Sequence, residues 1–154
     1  KNEPIIFQFI SEPSDINYGG NVHGGSVMKW IDQAGYACAT TWSGNYSVTV
    51  YVGGIRFYEP IKIGEIVQVE AQVIYTGTSS MHIAINVYSR NLKQPKFEKK
   101  THCIIVFVAV DENGKKLSVP KWIPKTEDEK QKELYAKRLM NLRTQIEDEM
   151  KPFF

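Results

Sequence analysis

The sequence has only two cysteines, Cys38 and Cys103, and each sits inside an apolar run. Two cysteines make neither a disulfide framework nor a zinc set, so both are expected to be buried, reduced thiols. Histidine is almost as scarce. His23, His82 and His102 lack metal-ligand spacing, and the two later ones read as ordinary strand residues. No apolar run reaches about 18 residues, which excludes a membrane-spanning helix. The N-terminal residues lack the charged, apolar and small-residue sections of a secretory signal, although Lys1 is not an initiator Met. Charge of one sign is also missing. Nineteen Lys plus Arg against 17 Asp plus Glu leave a net charge of +2, far from the strongly basic surface of a nucleic-acid binder. There is no G-x-S-x-G elbow, Walker loop or dinucleotide fingerprint. The default expectation is a soluble, cytoplasmic protein.

What is present suits one globular body. The 154 residues are 42% hydrophobic and 23% charged, and a chain of this length can bury about 70% of the surface its unfolded form exposes. Residues 4–10 (PIIFQFI) suit a short strand, and 13–25 (PSDINYGGNVHGG) a glycine-rich loop. Residues 26–43 read as a helix that is apolar round most of its circumference and therefore buried. Lys29, Asp32, Gln33, Tyr36 and Thr40 form its one polar stripe, and Gly44-Asn45 stop it.

Strands follow. Residues 48–52 and 55–61 are separated by Gly53-Gly54, which suggests a bulge. Residues 65–75 alternate, with Val67, Val69, Ala71, Val73 and Tyr75 on one face; residues 81–88 alternate again after a Thr76–Ser79 turn. Residues 101–110 are apolar on both faces and read as a central strand. Consecutive antiparallel strands around one helix define an α+β fold. Near Pro120 the composition turns highly charged, dividing the chain into a body, 1–123, and a helical extension, 124–154. In that extension Thr126 and Glu129 make a capping box, and Tyr135, Leu139, Leu142 and Ile146 form a narrow apolar stripe. The stripe suits a solvated helix laid on the body; an oligomer contact is the sharper alternative.

Chemistry concentrates between Asn17 and Asp32. A glycine-rich loop runs into a helix whose first turn offers free N–H groups and the positive dipole end. Gly24 and Gly25 leave room for close approach to those amides, as an oxyanion or phosphate requires. Asp32 is a carboxylate on a largely apolar helix, where it must be paired, face a cavity or do chemistry. Seven residues separate it from Gly25, or about 10 Å along the axis. A general base and an oxyanion hole must meet within about 3 Å of one reacting carbonyl. One copy of the helix cannot supply both, whereas two copies packed antiparallel across a two-fold axis could.

The stretches NYGGNVHGGSVMKWIDQAGYACA and VTVYVGGIRFYEPIKIGEIVQVEAQVIYTGTSSMHIAINVY resemble the hotdog-fold acyl-CoA thioesterases, especially the YciA-type and the cytosolic and brain acyl-CoA hydrolases. The resemblance covers roughly Pro4 to Pro120. It implies a long central helix wrapped by an antiparallel sheet, an obligatory homodimer with shared sites, and assembly as a trimer of dimers, a hexamer. It implies hydrolysis of acyl-CoA to a free acid and coenzyme A, with no cofactor beyond the coenzyme A of substrate and product, and no metal.

By this resemblance Asp32 is the catalytic carboxylate, Asn21 the polar partner from the glycine-rich loop, and Gly24 and Gly25 the oxyanion amides. Thr76, Gly77, Thr78, Ser79 and Ser80 match a turn that lies along bound coenzyme A. Arg56, Arg90 and Lys121 are candidates for its phosphates. His23 stands where many relatives carry Phe or Leu and is a candidate substrate contact. The same fold also hosts hydroxyacyl-thioester dehydratases, which pair His with a carboxylate; His23 and Asp32 do not suggest that pair. A non-catalytic coenzyme A-binding module is the third reading.

Overall fold

The structure is a computed structural model and describes residues 3–154. Five strands form one antiparallel sheet: β1 (Ile5–Ile10), β2 (Ser47–Phe57), β3 (Ile66–Thr76), β4 (Ser80–Arg90) and β5 (Glu98–Ala109), in the order β1-β3-β4-β5-β2. Helix α1 (Gly24–Ser43) crosses one face and helix α2 (Glu127–Met150) the other.

Helix α1 starts two residues earlier than the sequence suggests, because His23 caps it through its ring. Gly44 ends it in the left-handed region, at φ 72°. Val27, Trp30, Ile31, Ala34, Cys38 and Ala39 pack on Val69, Ile83, Ile85 and Ile105. Gly35 allows close approach: a Cβ there would stand 2.7 Å from the Phe107 ring. The helix is not buried on most sides. Lys29, Asp32, Gln33 and Tyr36 are exposed in the single chain, so the polar stripe is an open face.

Segment 48–52 and the start of 55–61 form one strand, β2, with register shifts at Thr49/Tyr51 and Gly53/Arg56; it ends at Phe57, and residues 58–61 are not strand. Gly54 adopts φ 65° there, which only glycine does cheaply. A further shift between Val73 and Tyr75 overturns one expected face. Val67 to Val73 pack under α1, but Tyr75 joins Ile74 on the α2 side. A bulge reverses the alternation that sequence periodicity assumes.

Strand β5 lies inside the sheet, between β4 and β2. Cys103, Ile105 and Phe107 face α1, and Ile104 and Val106 face α2, which is why its sequence is apolar throughout. Helix α2 has the expected capping box: Glu129 N–H donates to Thr126 Oγ1 at 3.1 Å and Thr126 N–H to Glu129 Oε1 at 3.1 Å. Ala136 is buried against the sheet with Tyr135 and Leu139 beside it, whereas Leu142 and Ile146 are half exposed.

Candidate active site

Asp32 projects from the open face of α1 toward β2, and Thr49 Oγ1 donates to its Oδ1 at 2.6 Å. Its carboxylate thus has one side-chain hydrogen bond and otherwise faces outward. Strand β2 and its approach leave large apolar side chains exposed. Tyr46, Val50 and Phe57 of the β2 region are each at least half exposed, and Tyr36 packs edge-on against Tyr46. Strand β2 is also a sheet edge, so a row of unpaired backbone groups adjoins the carboxylate.

The glycine-rich loop lies about 10 Å back along the helix axis. Asn17 organises it. Its Oδ1 accepts from Gly19 N–H at 2.9 Å and Asn21 N–H at 3.1 Å, an Asx-type turn. Asn21 itself bridges to Lys62 through its backbone. His23 Nδ1 accepts the Gly25 N–H at 2.9 Å, and Ser26 and Val27 N–H both turn back to His23 O. Of the first-turn amides, Gly24 N–H is the one without a partner among the described residues. Gly25 N–H could polarise a carbonyl only if the His23 ring swung away. Gly24 borders a cavity of about 320 Å³ with Phe57, Tyr58, Pro60, Ile61 and Lys100. Lys100 is buried there and pairs with Glu59 at 3.3 Å.

The structure does not bring the other candidates together in one chain. Thr76 Oγ1 is buried and accepts Trp122 N–H at 3.0 Å. Thr78 O and Ser79 O accept from Val119 and Ala109. The turn is clasped by the C-terminal segment and opens, with Lys121, on a cavity of about 740 Å³. Arg90 lies at the far end of β4 from Ser80, roughly 30 Å away along the strand; it stacks on Phe97 and donates to Gln94 O. Arg56 is exposed and stacks on Tyr58 at 5.5 Å.

Burial pushes the Cys38 and Cys103 thiols up to about 12, so neither is a thiolate nucleophile. His82 is pushed down to about 4 by burial and by the Arg143 charge. His102 is lowered mainly by burial; its ring bonds Asn86 and Tyr135 on the α2 side. Both histidines lie on the sheet face away from Asp32. Among the described residues no group of three His, Cys, Asp or Glu side chains could hold a metal ion, and no helix is long and apolar enough to cross a membrane.

A long helix laid across a five-stranded antiparallel sheet, with a carboxylate on its open face, is the hotdog architecture. The model of the thioesterase superfamily matches residues 19–96, and the chain belongs to that family. It is 37% identical over 116 residues to an uncharacterized acyl-CoA thioester hydrolase of Buchnera aphidicola, covering 72% of this chain and 84% of that one. The acyl-CoA hydrolase of Staphylococcus aureus, solved with butyryl coenzyme A and coenzyme A, superimposes with a TM-score of 0.87 at 29% identity, over 97% of this chain and 91% of that chain. A hexameric thioesterase of Yersinia pestis gives 0.72 at 32% identity, over 78% and 97%.

In the Staphylococcus enzyme an asparagine, an aspartate 15 positions later and a threonine 17 beyond that have each been replaced by alanine. Asn17, Asp32 and Thr49 have the same spacing. Sequence reading passed over two of these three. Asn17 reads as one more loop residue beside Asn21, and Thr49 as a strand residue; only folding puts its hydroxyl on Asp32.

Proposed function

We propose that this chain hydrolyses acyl-CoA thioesters to a free acid and coenzyme A, in sites built by two copies across a two-fold axis. The observation that carries the reading is Asp32 on the open face of α1, held at 2.6 Å by Thr49, in a chain of the thioesterase superfamily.

Asp32 is the general base for water, or attacks the thioester carbonyl itself. Thr49 fixes the carboxylate rotamer by donating to Oδ1. The partner copy brings the start of its α1, where the Gly24 amide stabilises the developing oxyanion and Gly25 joins once His23 releases it. Asn17 or Asn21 of that same loop orients water or thioester. Asn17 has the support of spacing, because its counterpart in the Staphylococcus enzyme was chosen for replacement. The turn Thr76–Ser80 with Lys121 offers backbone and ammonium donors to coenzyme A; Arg56 is a further exposed cation for its phosphates, and Arg90 a weaker one.

The need for a second copy is supported by the axial gap between Gly25 and Asp32 and by the bare apolar edge of β2, which another β2 would cover by continuing the sheet. A trimer of such dimers would match the hexameric thioesterases that this chain resembles. Residues 124–154 are an extension packed on the outer sheet face. His23 Nδ1 accepts from Gly25 N–H and makes no contact with Asp32, which disfavours the His–carboxylate pairing of a dehydratase. Hydrolysis of a panel of acyl-CoAs, followed as thiol release, tests the activity. Coenzyme A binding with no turnover across the panel would overturn it.

A further inference from the structure

A cavity of about 180 Å³ lies beneath α2, on the sheet face away from α1. Ile104 and Val106 form its floor, and Ala136, Leu139 and Ile146 part of its roof. For scale, an engineered apolar cavity of about 150 Å³ stays dry and takes up benzene.

Two polar side chains interrupt these apolar walls. His82 is 4% exposed; its ring meets the edge of Tyr75 at 5.0 Å and makes no hydrogen bond among the described residues. Arg143 stacks on Tyr51 at 4.8 Å, and its Nε is buried with no hydrogen-bond partner. Glu147 Oε1 stands 3.6 Å from that nitrogen, beyond hydrogen-bond reach. The Arg143 side chain is 30% exposed and its ion pair with Glu147 is long, so the buried Nε–H at the edge of this apolar hole is left without an acceptor in hydrogen-bond range, which is costly. One ligand chemistry answers both features: an anion that accepts from a guanidinium and carries a short apolar tail.

We propose that this cavity binds a small apolar monocarboxylate, with its carboxylate on Arg143 and a tail of about five or six carbons in the space beneath α2. A phosphate ester fits less well, because one guanidinium and an imidazole are few partners for a dianion among apolar walls. Thioester hydrolysis releases acids of this class, so an occupied cavity would register product; that link rests on the proposed activity, whereas the binding does not. The site also adjoins the candidate catalytic strand. Tyr51 lines the cavity and Thr49 holds Asp32, with a bulge of β2 between them.

The test is calorimetric titration of the full chain with hexanoate and, in parallel, hexanamide. The expected result is one saturable hexanoate site per chain, with the amide about tenfold weaker because it lacks the charge that Arg143 reads. Arg143→Met should lose hexanoate yet keep acyl-CoA turnover, and Asp32→Asn should keep hexanoate. Ala136→Met, which fills the cavity, should lose it too, with a thermal melt to show that the variant is folded. If that variant does not fold, Arg143→Met and the acid–amide pair decide. Equal binding of acid and amide, no saturable site at millimolar hexanoate, or binding lost with Asp32→Asn and kept with Arg143→Met would overturn the proposal.

Discussion

Thr49 Oγ1 donates to Asp32 Oδ1 at 2.6 Å, tying the edge strand β2 to the open face of α1. The bond joins residues 17 positions apart and orients the one carboxylate on that helix. If Asp32 is the base or nucleophile, Thr49→Val should lower kcat about 10- to 100-fold, the worth of a hydrogen bond to a charged group. Thr49→Ser should restore most of it. Steady-state kinetics of both variants decide, and an unchanged kcat in Thr49→Val would remove Thr49 from the mechanism.

Asp32→Asn keeps the shape of the side chain and removes its charge. Turnover should fall by at least about 100-fold while coenzyme A still binds, because general-base steps are worth about that much or more. Product release and equilibrium binding on the same preparation separate the two effects.

A site shared between copies makes a further prediction. Asn17→Ala and Asp32→Asn should each be impaired alone, and they damage different protomers' contributions to one site. Equimolar mixing with subunit exchange should restore about a quarter of wild-type activity, since half the dimers are mixed and each has one intact site. Mixtures that stay inactive although the subunits exchange would place both groups in a site made by one chain.

His82 links stability to pH. Its folded value, about 4, lies below the ordinary histidine value of 6.5, so the unfolded chain binds more protons between those values. Stability should therefore be full above about pH 6.5 and fall as pH drops toward 4, by about 3 kcal/mol at the acid end. His102 is lowered as well and adds in the same direction. Thermal melts from pH 7 to 4.5 should show a shallower acid limb for His82→Leu than for wild type.

Gly35 marks the tightest helix–sheet approach. A Cβ would meet Phe107 at 2.7 Å and Ile105 at 3.0 Å, both in a packed core strand. Gly35→Ala gains helix propensity but should lose about 1–3 kcal/mol to overpacking. Denaturant unfolding measures the net sign.

The residues alone settled a good deal. Period-two alternation in β3 and β4, an apolar β5, a helix ending at Gly44 and the Thr126–Glu129 capping box are local patterns, and local chemistry determines them. The axial distance from Gly25 to Asp32 is equally local, since helix geometry alone fixes it, and it already asked for a second copy.

What folding decided is what depends on meetings between distant residues. Bulges moved Tyr75 off the Val67–Val73 face and joined 48–52 to the start of 55–61 in β2, which ends at Phe57. The pairing of Thr49 with Asp32 and the Arg143–His82 cavity under α2 join groups whose separation in sequence carries no signal. A hydrogen bond or a cavity wall is a property of packed space; periodicity says which face a residue occupies, and only tertiary contact says what it meets there.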